Sequence, residues 1–195
     1  MSAPQVVVLD EGRESGPEWQ ALYEHADKGL RPILLTLYQT AMRPAECFAM
    51  RWEWIKEIAP GFWTIEPPPD MEKTGARRTI PVSACLRDAL QPLQKDTGLV
   101  FPSCVTEKER HGIAKAFRIA CERAGLQGLH PYCLRRTRIS IWDARDSEAC
   151  RFAVGHAARD VHAKHYLRIT HERLFQLVGM EYNPALQFRL ISKVG

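Results

Sequence analysis

The spacing of apolar positions changes several times along the chain, and each change marks an element. Pro17 to about Lys28 reads as a helix with Trp19, Leu22 and Tyr23 on one side. Arg31 to about Ala41 (RPILLTLYQTA) is apolar nearly throughout and reads as a buried helix. Arg43-Pro44 opens a shorter helix, because proline is tolerated at the first helical position. That helix turns Cys47, Phe48 and Met50 inward and ends near Trp52–Trp54. The period then falls to two: FWTIE (62–66) alternates as a strand does, and Pro67 to Asp70 breaks it. Residues 71–82 read as a hairpin, with Thr74-Gly75 in the turn and Arg78–Val82 as the return strand. Ser83 is placed to cap a helix running to Lys95, and Leu99–Phe101 is a brief apolar piece. Thr106 to Ala124 reads as a long amphipathic helix stopped by Gly125. Pro131 starts another, to about Ala144, and two or three shorter helices fill 147–180. Residues 1–16 read as irregular, and the tail after Asn183-Pro184 as an extension. The pattern predicts a mixed α/β chain, mainly helical, with one small antiparallel sheet inserted early. There is no internal repeat and no low-complexity tract.

Composition narrows the class. With 45% hydrophobic and 26% charged residues in 195, the chain has the balance of a globular protein rather than of a disordered one. No apolar run approaches the length of a membrane-spanning helix, so no membrane partner is expected. The N-terminus lacks the basic and apolar regions of a secretory signal. The cysteines at 47, 85, 104, 121, 133 and 150 include no C-x-x-C pair, so they read as thiols of a reducing compartment, the cytoplasm, rather than as a zinc module. Charge is unevenly placed. The first thirty residues hold six acids and two bases, a net of −4, which leaves +8 on the remainder of a chain whose total is +4. A basic body suits a polyanion, although the same balance also fits an ordinary solvated surface.

Four local patterns can carry chemistry. Arg43 and Glu46 are three apart at the start of a helix and can share a face, either as a structural ion pair or as an anion site. Glu72-Lys73-Thr74-Gly75 puts a lysine on the hairpin. In His130-Pro131-Tyr132-Cys133-Leu134-Arg135-Arg136-Thr137, Tyr132 and Arg135 share a face near a helix N-terminus, which favours phosphate; the same run also reads as a basic helix in water. Val154-Gly155-His156 is followed ten residues after the histidine by Tyr166, and either residue can equally be a packing side chain.

Taken in order, these patterns are more specific than any one alone. Arg-x-x-Glu with Met50-Arg51-Trp52, then Lys-Thr-Gly ahead of Ile80-Pro81-Val82, then Leu-Arg-Arg-Thr, then Gly-His, then Tyr, resembles the catalytic domain of tyrosine recombinases, the phage-integrase family. The resemblance spans roughly residues 30–180. It implies that family's fold, mainly helical with a small antiparallel sheet, as a catalytic domain over 17–182 between an irregular segment 1–16 and a C-terminal tail 183–195. It also implies that the N-terminal core-binding domain of such enzymes falls outside this sequence. By position it assigns Arg43 and Arg135 as the two catalytic arginines, Lys73 as the hairpin lysine, His156 as the later histidine and Tyr166 as the nucleophile. The family usually has histidine three residues before the second arginine; here that place is Tyr132, and His130 stands two residues earlier.

The implied activity is site-specific recombination: cleavage and rejoining of double-stranded DNA through a covalent 3′-phosphotyrosine, by a tetramer on DNA, with neither cofactor nor metal. Two guanidinium forks suit the charge that gathers on phosphate oxygens in the transition state. Three other readings stand beside it. A DNA-binding relative that has lost catalysis is permitted by Tyr132. A metal site could be built from His156, His162 and His165. A helical domain for protein partners could use the tryptophans and the apolar run Leu174, Leu177 and Val178.

Overall fold

Proline and capping side chains set where most helices begin. The computed structural model describes residues 9–12, 16–71, 77–156 and 169–182. Helices α1 (Pro17–His25), α2 (Arg31–Thr40) and α3 (Pro44–Phe48) each carry proline in their first two positions, where a missing N–H costs nothing. Ser83 opens α4 (Ala84–Leu90), its Oγ accepting the Leu86 N–H at 3.3 Å. Thr106 and Glu109 form a reciprocal box at the head of α5 (Glu107–Arg123): Thr106 Oγ1 accepts from the Glu109 N–H at 3.2 Å, and Glu109 Oε2 accepts from the Thr106 N–H at 2.7 Å. Pro131 begins α6 (Pro131–Val154), and Thr170 caps α7 (His171–Leu177).

The sheet has the order β1-β2-β3, all antiparallel, with β1 at Ile55–Ala59, β2 at Phe62–Ile65 and β3 at Ile80–Pro81. Ile55 faces Ile65 and Lys56 faces Thr64, with a bulge between Glu57 and Ala59. Sequence pattern did not reveal β1, because Lys56 and Glu57 are both exposed and break the alternation that marks a half-buried strand. The return strand expected over 78–82 is shorter and pairs with β2, Ile80 opposite Ile65. The residues before it differ from the hairpin arm expected from Met71: Pro69–Met71 is a 3₁₀ turn, opened by a proline whose fixed φ suits its first position. The hairpin's tip, Thr74-Gly75, lies outside the described residues.

The chain falls into two units, one within residues 1–49 and 101–141, the other within 50–100 and 142–195. In the first, α1 packs on α2 and α5, and α2 on α3. Trp19, Leu22, Ile33, Leu34, Leu37, Tyr38, Phe117 and Leu134 are buried there. In the second, α7 packs on β3. Phe62, Phe175 and Tyr182 form an aromatic triangle with ring centroids 5.1–5.4 Å apart, worth about 0.5–1.5 kcal/mol per pair beyond burial.

Within the stretch expected to be irregular, Leu9–Gly12 winds into a 3₁₀ turn, and both Leu9 and Asp10 are buried. The Leu9 N–H donates to Thr137 Oγ1 at 2.9 Å. The Asp10 carboxylate accepts the N–H groups of Glu18 at 2.9 Å and Trp19 at 3.1 Å, satisfying orphan donors at the start of α1 from seven residues upstream. Gly16, at the cap position itself, makes room for this: a Cβ there would sit 2.2 Å from the Asp10 carboxyl. Asp10→Ala is expected to lower stability by about 1–2 kcal/mol, the usual worth of an N-cap. Urea unfolding checks this, and an unchanged midpoint would show the cap idle.

Candidate active site

The turn between α2 and α3 gathers the first group of charges. α2 ends at Thr40, and Ala41 adopts a left-handed backbone, φ 52°, a conformation that costs a residue with a Cβ about 1–2 kcal/mol. A costly turn persists only where its surroundings hold it. Here the Thr40 hydroxyl accepts the Met42 N–H at 3.2 Å, and the Arg135 guanidinium donates to the Ala41 carbonyl. Arg43 follows as the cap of α3. Its backbone N–H donates to Glu46 Oε2 at 2.7 Å and its guanidinium to Glu46 Oε1 at 2.6 Å. One buried carboxylate thus fixes both the backbone and the side chain of Arg43, whose side chain remains 28% exposed against 3% for Glu46. The arginine is held and remains partly exposed.

Arg135 reaches this turn from the first turns of α6 and is itself buried, 1% exposed. Its bond to the Ala41 carbonyl places its guanidinium two residues along the chain from Arg43. The structure therefore ties Arg135 to the turn that leads into Arg43, within one unit. The basic run Arg135-Arg136-Thr137-Arg138 looks on composition like a solvated helix face, and it is largely the reverse. Arg138 is fully buried, its Nε donating to the Tyr38 carbonyl at 2.7 Å and its guanidinium 4.6 Å from the Tyr38 ring centroid. Trp19 stacks on the same ring at 3.8 Å. Sequence reasoning passed over Arg138, although its spacing of three from Arg135 puts both on one face.

Tyr132 and His130 lie at the exposed head of α6. Tyr132 carries the Arg136 guanidinium 5.3 Å from its ring centroid, and the His130 ring lies 6.5 Å away in a stacked arrangement. His156 belongs to the other unit. It is exposed and follows Gly155, which ends α6 with φ 73°; the His156 N–H closes the helix end on the Arg151 carbonyl at 3.0 Å. Lys73 and Tyr166 lie outside the described residues, as do His162 and His165 of the metal reading. Among the described residues no group of three or more His, Cys, Asp or Glu is placed to hold a metal ion.

The thiols offer little nucleophilic chemistry. Burial, then Cys104 and Glu46, push the Cys47 thiol well up, and burial with Cys133 and Glu122 takes Cys121 to about 11. Both stay protonated at neutral pH. Among the described residues no helix is long and apolar enough to cross a membrane.

A mainly helical domain with a small three-stranded antiparallel sheet has the architecture of a tyrosine recombinase catalytic domain. Residues 16–172 match the Phage integrase family, and the chain belongs to that family. Solved structures with this fold include the XerA recombinase, at TM-score 0.57 and 17% identity over 100% of this chain and 65% of that one. The XerH site-specific recombinase bound to difH substrate, in a pre-cleavage complex, aligns at TM-score 0.56 and 18% identity over 91% and 56%. Lambda integrase (75-356), a dimer bound to a COC′ core site, aligns at TM-score 0.58 and 16% identity over 88% and 64%. The chain thus spans between about half and two thirds of these proteins. No curated protein matches it by sequence.

Proposed function

We propose that this chain is the catalytic domain of a site-specific DNA recombinase that cleaves and rejoins duplex DNA through a phosphotyrosine. The observation that supports the reading is the hydrogen bond from Arg135 to the Ala41 carbonyl, in the turn that leads into Arg43; in this reading the two permanently charged forks hold one phosphate. In this reading the Tyr166 phenol attacks phosphorus, a Tyr–O–P bond forms, and the bond to the 5′ oxygen breaks. Arg43 and Arg135 take the charge that develops on the non-bridging oxygens. The Lys73 ammonium gives its proton to the departing 5′ oxygen, and His156 donates a hydrogen bond to a phosphate oxygen. The phenol starts from a reference pKa of about 10, so its proton must pass to a neutral base. His130, beside Tyr132, is one candidate. No step needs a metal, because the side chains supply the positive charge. A tetramer on DNA and the absence of a resident cofactor belong to the same reading.

The exposed Tyr132 favours a second reading, a relative that binds DNA without cleaving it. One experiment decides between them. The chain is incubated, in EDTA, with a pool of nicked duplexes of random sequence, and complexes that survive denaturation are collected. The native chain is expected to yield a covalent adduct and Tyr166→Phe none. Duplex binding without adduct from the native chain would establish the non-cleaving relative.

A further inference from the structure

Helix α6 is two helical pieces joined at a kink, where Asp146 is not helical, with φ −156° and ψ 97°. The sequence encodes this break. Asp146-Ser147-Glu148 is a cap signal inside a helical run, and Asp146 Oδ1 accepts the N–H groups of Glu148 at 3.1 Å and Ala149 at 3.0 Å. Asp146 therefore starts a second half-helix, which runs to Val154 and leads directly into Gly155-His156.

The same carboxylate is gripped from α7. Arg173 Nε donates to Asp146 Oδ2 at 2.8 Å and Arg173 Nη2 to Asp146 Oδ1 at 2.8 Å, a bidentate fork. Arg173 Nη1 also reaches Glu148 at 2.6 Å. The Arg173 hydrogen bonds hold the Asp146 carboxyl below the usual carboxylate range, so the fork is charged at neutral pH. A reciprocal link runs the other way: Arg145 Nη1 donates to the Leu177 carbonyl at 2.5 Å, at the C-terminal end of α7, where a cation suits the helix dipole. Two arginines thus fasten the α6 break to α7 near the two ends of α7. All of these groups belong to one unit.

The chain between the fastened elements contains His156 and Tyr166. We propose that the Asp146–Arg173 fork is a positioning device for the cleavage reaction: it fixes both elements that bracket residues 157–168 and thereby sets where the nucleophile is delivered. This rests on the recombinase reading above. Neither residue is assigned contact with DNA, so the fork acts on the rate of cleavage and not on affinity.

The test uses the whole chain and nicked duplexes recovered from the random pool. Asn is as good a cap as Asp, so Asp146→Asn keeps the half-helix while removing the carboxylate charge. It is expected to slow single-turnover adduct formation about tenfold, the worth of one charge-assisted hydrogen bond withdrawn from positioning, with duplex Kd changed less than about twofold. Arg173→Ala is expected to lose more, and Arg173→Lys to recover part of that loss, because an ammonium keeps the charge but not the fork. Melting temperatures are measured alongside, and rates are taken well below them. Adduct rates unchanged in both Asp146→Asn and Arg173→Ala would overturn the inference alone, as would losses of rate and affinity in equal proportion. A native chain that binds duplex but forms no adduct would overturn the recombinase reading, and this inference with it.

Discussion

Arg43→Ala is expected to lower the rate of adduct formation by about 10- to 10²-fold, since the transition state loses a charge-assisted hydrogen bond of about 1.5–3 kcal/mol. It is also expected to destabilise the fold. Glu46 is almost wholly buried and spends both carboxylate oxygens on Arg43, one on the guanidinium and one on the backbone N–H. Removing the guanidinium takes one charge-assisted hydrogen bond from a buried carboxylate, at a cost of about 1–3 kcal/mol; the partial exposure of Arg43 argues for the lower half of that range. A drop in activity alone would therefore be ambiguous. Adding Glu46→Gln removes the buried charge and is expected to restore most of the stability while leaving cleavage low. Urea unfolding and single-turnover rates on the same preparations separate the effects. If cleavage returned together with stability, Arg43 would be a structural partner of Glu46 and nothing more.

The parts of the fold legible in the sequence are those whose signals are local. Proline at the head of α1, α2, α3 and α6, the Thr106–Glu109 box and Gly125 each announce a boundary within a few residues. What stayed hidden acts over distance. Asp10 caps α1 from beyond an intervening glycine, and no short-range pattern marks a cap supplied from there. Strand β1 lies at a sheet edge and shows two charged side chains to solvent, so its alternation is masked. The α6 break was half visible. Sequence pattern ended one helix near Ala144 and began another by Ser147, and the structure has two helical pieces meeting at a kink at Asp146.

The candidate site divides in the same way. Arg43 and Glu46 were readable as a pair because three residues of helix separate them, and the structure shows that pair. That Arg135 meets the turn before Arg43 depends on a hydrogen bond spanning 94 residues, which no spacing rule can supply; only the family resemblance pointed to it. Composition misled over the arginines of α6. A cluster of bases suggests a wet face, whereas two of its members are buried and bonded to carbonyls of α2 and the turn that ends it, Tyr38 and Ala41. Burying two guanidiniums is expensive unless their donors are used, and each of these spends a donor on a carbonyl, Arg135 on Ala41 and Arg138 on Tyr38.

This arrangement makes Arg135 the position of largest expected effect after the nucleophile itself. In the proposed reading its guanidinium has two tasks: to hold the phosphate, and to secure the Ala41 carbonyl in a left-handed turn immediately before Arg43. Arg135→Ala loses both, and each loss is worth about 10- to 10²-fold, so a fall of about 10³-fold in adduct formation is expected. Arg135→Lys is expected to recover less than about tenfold, because an ammonium carries no planar fork and is harder to bury. The two tasks predict a particular non-additivity. If the tether positions Arg43, then Arg43 is already misplaced in Arg135→Ala, and removing it as well adds little. The double variant should fall less than about tenfold below Arg135→Ala, far short of the product of the single losses. Rates must be referred to the folded fraction, since Arg135 is buried and its loss also weakens the unit. A double variant that shows the full product would mean that the arginines act independently, and the Ala41 tether would then have no part in placing Arg43.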